Sequence, residues 1–226
     1  MPRLLAVIVS LLTAAAASAH FPFLVPDGPS KGKAVFSDNL KPDKDVPVDR
    51  IAKAKLLVLA DGKATELTWT LDKVANCYTF EVPGSGSRVV VGTLEYGVLQ
   101  RGDSKPFLLN YYPKAVFGDV PAPERATAGD KTPLELVPFA AGGKLRFKVL
   151  SGGKPLAKAD VTVLVPGEAK SQIVATDDDG LTPGFDKVGT YGAQVRRVEE
   201  AVGEREGKKY AEVRHYATLV VTLGGK

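Results

Sequence analysis

Apolar and polar residues alternate with a period of two along most of this chain, and that period sets the fold class. Lys55 to Ala60 (KLLVLA), Ala64 to Thr70 (ATELTWT), Cys77 to Val82 (CYTFEV) and Arg88 to Leu99 (RVVVGTLEYGVL) follow it. So do Lys105 to Tyr112, Leu134 to Pro138 and Lys144 to Leu150. Asp160 to Val165, Ser171 to Thr176, Thr190 to Val198 and Tyr210 to Leu223 continue it. Successive side chains of a strand point to opposite faces, so this pattern predicts half-buried β-strands. Turn-forming clusters separate them: Asp61-Gly62, Pro83 to Gly86, Gly152-Gly153 and Gly203 to Gly207. No ten-residue stretch has an apolar stripe of helical period, and Val48 to Ala54 has room for about one helical turn.

The fold class read from this pattern is all-β: two antiparallel β-sandwich units, Ig-like or transthyretin-like, with little helix. Residues 113–133 change character. Pro113, Pro121, Pro123 and Pro133 interrupt the chain, and Ala126 to Lys131 is small and polar. This segment reads as the connection, giving an N-terminal unit over 20–138 and a C-terminal unit over 139–226. The single cysteine, Cys77, forms no internal disulfide, so packing must supply the stability.

The first 19 residues stand apart. Arg3 precedes an apolar run from Leu4 to Ala17, broken only by Ser10 and Thr13. Ala17-Ser18-Ala19 then places small residues where a signal peptidase needs them. The run is shorter than the ~20 residues a membrane-spanning helix requires. Residues 1–19 therefore read as a cleaved signal peptide, with no later membrane span. The working chain would begin at His20, in the periplasm or outside the cell. Removing Arg3 lowers the formal net charge of +4 by one, and no basic stripe of the kind that binds nucleic acid is present.

Two resemblances follow from quoted stretches. GGKLRFKVLSGGKPLAKADVTVLVPG (142–167) and TDDDGLTPGFDKVGTYGAQV (176–195) resemble the transthyretin-like or carboxypeptidase-regulatory-like sandwich, with Asp177 to Gly180 as a tight turn. The acidic triplet lacks the alternating spacing and closing Glu of a calcium-binding EF-hand loop. AHFPFLVP (19–26) together with Tyr210 and RHYATLVV (214–221) resembles the two ends of a family of periplasmic components of nickel or cobalt uptake. That resemblance implies a periplasmic role linked to a metal.

The chain has two histidines, His20 and His215. A mature N-terminal histidine offers its free amine and ring Nδ1 as one chelate. A second imidazole would complete a planar three-nitrogen set, the histidine brace. Cu(II) favours such tetragonal nitrogen sites and tops the divalent affinity order, while the resemblance to uptake components implies Ni or Co as the alternatives. At neutral pH little proton loss opposes binding. His215 lies at the start of the apolar row Val213, His215, Ala217, Leu219, Val221 and Leu223, which equally suits a packed core histidine. Tyr111, Tyr112, Tyr216 and Asp27 are candidate oxygen donors.

No nucleophile elbow, zinc-protease, P-loop or dinucleotide motif is present. The leading reading is an exported metal-binding protein for transport, delivery or buffering, using His20 and His215, whose partner is a membrane transporter or a cell-surface protein. It is read as not an enzyme, although copper monooxygenases built on a brace act on polysaccharides. The alternative is a non-catalytic extracellular β-sandwich that binds protein or glycan and has no metal site.

Overall fold

The computed structural model describes residues 20–60, 62–129 and 132–224. The leader read at residues 1–19 lies outside them. Fifteen strands make three sheets among the described residues. The largest has eight strands: Lys55–Ala60 (β3), Lys63–Leu67 (β4), Arg88–Leu99 (β7), Phe107–Phe117 (β8), Asp160–Leu164 (β12), Gln172–Ala175 (β13), Gly189–Arg205 (β14) and Lys208–Leu223 (β15), in the order β13-β12-β14-β15-β8-β7-β3-β4. A four-stranded sheet, β1-β2-β6-β5, uses Phe21–Pro26 (β1), Lys31–Ser37 (β2), Trp69–Asp72 (β5) and Cys77–Glu81 (β6). A three-stranded sheet, β11-β10-β9, uses Leu134–Ala141 (β9), Lys144–Ser151 (β10) and Lys154–Pro155 (β11). Among the described residues, helix amounts to a 3-10 turn at Val48–Ile51, a single turn at Pro123–Ala126 and 3-10 conformation at Gly129. None is long and apolar enough to cross a membrane.

The architecture is the all-β sandwich expected, but the two sandwiches share their middle. β15 pairs with β8 in parallel, from Glu212↔Phe107 to Val220↔Ala115, and joins both halves of the chain in one sheet. The small sheets cover its opposite faces. Side chains at odd positions of β8 (Phe107, Leu109, Tyr111, Ala115, Phe117) enter one core with β1, β2 and β6. Tyr112 and Val116 enter the other, with Leu136 of β9, Leu145 and Phe147 of β10 and Tyr191 of β14. Val220 of β15 belongs to the first core, and Ala217, Leu219 and Val221 belong to the second. Both central strands are therefore buried on both faces, and their long apolar runs follow from that.

The boundary placed at 138/139 falls inside β9. The C-terminal sandwich begins at Leu134 and draws Val89 and Val91 of β7 into its core. The connection expected over 113–133 is also shorter, because β8 runs on to Phe117 through Pro113. A proline donates no ladder bond, and here the strand opposite makes room for it. A Cβ on Gly92 would stand 2.7 Å from the Pro113 ring. The predicted strand 64–70 divides at Thr68: Leu67 pairs with Leu56 in the large sheet, and Trp69 pairs with Phe80 in the four-stranded sheet. β1 and β2 carry no alternation that marks them as strands in the sequence.

Two polar devices hold the connections. Lys114 and Glu135 form an ion pair with both side chains almost fully buried. Lys114 Nζ also donates to the Ala126 carbonyl at 2.9 Å, and the Ala128 N–H donates to the Glu135 carboxylate. The pair thus fastens the single-turn helix to β8 and β9. Removing one partner of such a pair strands a buried charge, at about 3–5 kcal/mol. The Asp177–Gly180 turn forms as read. The Asp177 carboxylate accepts the N–H groups of Asp179 and Leu181 and pairs with Arg146 at 2.7 Å. Gly180 adopts φ +73, and a Cβ there would sit 2.9 Å from the Val149 carbonyl oxygen.

Candidate functional site: the N-terminal residue and the open sheet face

The N-terminal residue of the described chain is held against the face of β8 and β15 that packs on the four-stranded sheet. Phe21 contacts Tyr216 (centroids 5.3 Å apart) and Tyr111 (6.5 Å). Thr218 donates its hydroxyl to the Pro22 carbonyl at 2.6 Å. The Tyr111 hydroxyl, whose ionisation burial strongly opposes, points at the His20 carbonyl at 3.5 Å. The His20 ring packs near Phe36, and its Nε2 lies 2.7 Å from Asp43 Oδ2. A carboxylate only accepts, so Nε2 carries the proton and Nδ1 of the neutral ring keeps its lone pair. The His20 contact, and then the Asp45 N–H, hold the Asp43 carboxyl below its ordinary range.

His215 sits on the opposite face of the same sheet. It is 7% exposed, in the apolar row read from the sequence. Its Nδ1 is 2.9 Å from the Tyr112 hydroxyl, and the two rings stack with centroids 5.8 Å apart. Its Nε2 faces Glu199 at 3.7 Å. Burial first, and then Arg197, depress its basicity, with Glu199 opposing them. A neutral ring that accepts from Tyr112 at Nδ1 satisfies this geometry. The structure therefore does not bring His20 and His215 together. The sheet stands between them, and each ring has its own partner. The expectation that the N-terminus would reach His215 at a sandwich end is corrected on that ground. Among the described residues, no group of three or more His, Cys, Asp or Glu side chains could hold a metal ion.

The other candidates disperse as well. Tyr111 and Tyr216 are on the His20 face, and Tyr112 is beside His215. Asp27 pairs with Lys33 at 2.8 Å, between β1 and β2. Cys77 is buried at the start of β6, where desolvation raises its thiol pKa. Sequence reading missed Asp43, the carboxylate that orients His20. It lies in a stretch rich in Asp, Lys and Pro that has no period to mark it.

A second feature lies on the His20 face, beyond the reach of the four-stranded sheet. Over Gly192 the face is covered: a Cβ there would meet Leu164 and Leu40 at 2.9 Å. Further along β14 it is open. A groove of about 470 Å³ is lined by Leu156 to Asp160, Thr162, Gln194, Arg196 and Tyr216, among others. Thr162 and Gln194 are register partners across β12 and β14, as are Arg196 and Tyr216 across β14 and β15. Gln194 Oε1 is buried and accepts no hydrogen bond. Tyr216 also borders the small cleft that holds His20, Arg101 and Arg214, so groove and N-terminus are neighbours.

No family model and no curated protein matches the chain. The resemblance to nickel or cobalt uptake components thus stays with the end motifs alone. Among solved structures, the chain is similar to a two-domain fibronectin type III segment of chicken tenascin, at 10% identity over 87% of this chain and 97% of that chain, with a TM-score of 0.22. It is also similar to the D0–D1 domain of intimin, at 14% identity over 85% and 89%, with a TM-score of 0.20. At such TM-scores the likeness carries no argument, and the β-sandwich architecture stands on the strands and sheets themselves.

The histidine environment has a pH signature. Because folding depresses the His215 pKa, the unfolded chain binds the extra proton first as pH falls below about 6.5. His215 therefore adds stability above that range and loses it on acidification. Urea melts between pH 8 and pH 5 should show a stability loss that shrinks in His215→Gln. An identical pH slope in both proteins would contradict the buried neutral ring.

Proposed function

We propose that the chain is an exported, non-catalytic β-sandwich that binds a partner in the open groove over β12, β14 and β15. The observation that carries this reading is Gln194. A buried acceptor without a donor costs about 1–3 kcal/mol. A leucine at this position would serve packing better. Gln194 stands on the open face beside the exposed Lys158, Asp160 and Arg196, so this part of the sheet keeps polar and charged chemistry where the covering sheet ends. Export rests on the leader read at residues 1–19.

Two variants test the groove. Thr162→Tyr suits a strand and fills the groove from β12. Gln194→Leu removes the unpaired acceptor. The chain beginning at His20 should be retained on immobilised cell-envelope polysaccharide of the producing organism. Both variants should lose that retention at least tenfold. Gln194→Leu should also gain about 1 kcal/mol in stability. Retention that ignores both substitutions, or no retention of the parent protein, would overturn the reading.

A second reading keeps the metal. Asp43 fixes the His20 ring with Nε2 protonated, as carboxylates do behind ligating histidines. Nδ1 and a freed α-amine would then offer two nitrogens, a site for Cu(II), Ni(II) or Co(II) that needs no part of His215. In this reading the chain starting at His20 binds Cu(II) at least tenfold more tightly than one with an extra alanine before it, by calorimetry. His215→Gln leaves that affinity unchanged. Equal affinity in the two chains would remove the amine from the site.

A further inference from the structure

We infer that the groove takes a uronic-acid-bearing, acidic glycan. This rests on the groove reading above and adds the ligand's chemical class. The lining mixes donors and acceptors: Lys158, Arg196 and Thr162 against Asp160, with Arg197 already engaged by Glu199 and Ser151. Lys158 and Arg196 are exposed and make no ion pair among the described residues, so two free cations face one carboxylate. The surplus is positive and calls for an anionic ligand. The exposed Asp160 carboxylate, an acceptor in the same groove, calls for hydroxyl or amide donors on that ligand. A uronate residue has both, a carboxylate and several hydroxyls.

The alternatives fit less well. Ligand pockets for apolar molecules are lined mainly by apolar side chains, and this groove is not. A stable protein interface covers roughly 800 Å² on each partner around an apolar or aromatic centre that excludes lysine. Here Lys158 stands in the groove and Tyr216 is its one aromatic residue. Single-stranded nucleic acid is bound on several aromatic stacking platforms, and this groove offers Tyr216 alone beside its Asp160 carboxylate. The groove crosses three adjacent strands, about 10 Å from β12 to β15, which suits a linear chain laid across them.

Two further details agree with this class. Lys158 adopts φ +55, a conformation that costs a non-glycine residue energy and that persists where surroundings enforce it. Its N–H bonds to the Thr176 carbonyl at 3.0 Å, which holds the lysine at the groove edge. Beyond Tyr216, Arg101 borders the neighbouring cleft, so positive charge continues along the same face.

The test is calorimetry on the chain starting at His20 with three probes: an oligogalacturonate, a neutral cello-oligosaccharide of equal length and single-stranded DNA. The oligogalacturonate should bind at least tenfold more tightly than either of the others. Its affinity should fall with added salt, since exposed charges are screened. It should drop at least tenfold in Lys158→Ala/Arg196→Ala, two exposed positions whose replacement leaves the melt unchanged, and again in Thr162→Tyr. Equal binding of the neutral oligosaccharide or of DNA would overturn the assignment, as would oligogalacturonate binding that survives these substitutions. No oligogalacturonate binding, with envelope retention still lost in Thr162→Tyr, would reject the acidic-glycan class and leave the groove. Retention that ignores Thr162→Tyr would reject both.

Discussion

The parallel pairing of β15 with β8 is the contact on which the rest of this molecule depends. It joins strands about a hundred residues apart in sequence and turns two sandwiches into one body with a common sheet. Parallel strands are stable where both faces are covered, and both are covered here. On one side lie Phe21, Phe23 and Phe36 of the four-stranded sheet. On the other lie Leu136, Leu145 and Phe147 of the three-stranded sheet. Either small sheet, removed from this strand pair, would lose the surface against which its apolar face is buried.

The same pairing decides what the two histidines do. Neighbours in a strand point to opposite faces. His215 therefore goes with Tyr112, while Tyr216 and Tyr111 go with the N-terminus. A shared ligand for His20 and His215 would have to pass through the sheet. What remains on the His20 face is a set of neighbours: an oriented imidazole, an aromatic cluster under it, and a polar groove beside Tyr216. The groove exists because the four-stranded sheet stops short of β12 and β14. The part of β14 near Gly192 is sealed by Leu40 and Leu164, and the part near Gln194 and Arg196 is not.

Much of the fold was legible because alternation is a local signal. Lys55–Ala60, Arg88–Leu99 and Lys144–Ser151 appear within a residue of where their pattern put them. The apolar row from His215 to Leu223 also faces the core as read. Non-local features were not legible. FPFLVP does not alternate, since four of its residues are buried in succession, so β1 carried no period-two signal. Pro113 looked like a strand breaker because the space that accommodates it belongs to Gly92, on another strand. The partition at Thr68 leaves no mark in composition. At the candidate site, His20 was visible and Asp43 was not. Nothing in the Thr190 to Val198 pattern distinguishes Gln194, because only the extent of the covering sheet sets it apart.

The central claim is that the β8–β15 joint makes the two sandwiches one cooperative unit. Equilibrium urea unfolding of the chain starting at His20 addresses it most directly. Trp69, the single tryptophan, stacks on Tyr78 within the four-stranded sheet and reports only that side. Far-ultraviolet circular dichroism reports all the strands. The account predicts one transition with coincident midpoints from the two probes. A tryptophan transition separated from a second, later or earlier loss of β-signal would show two independent sandwiches and contradict it.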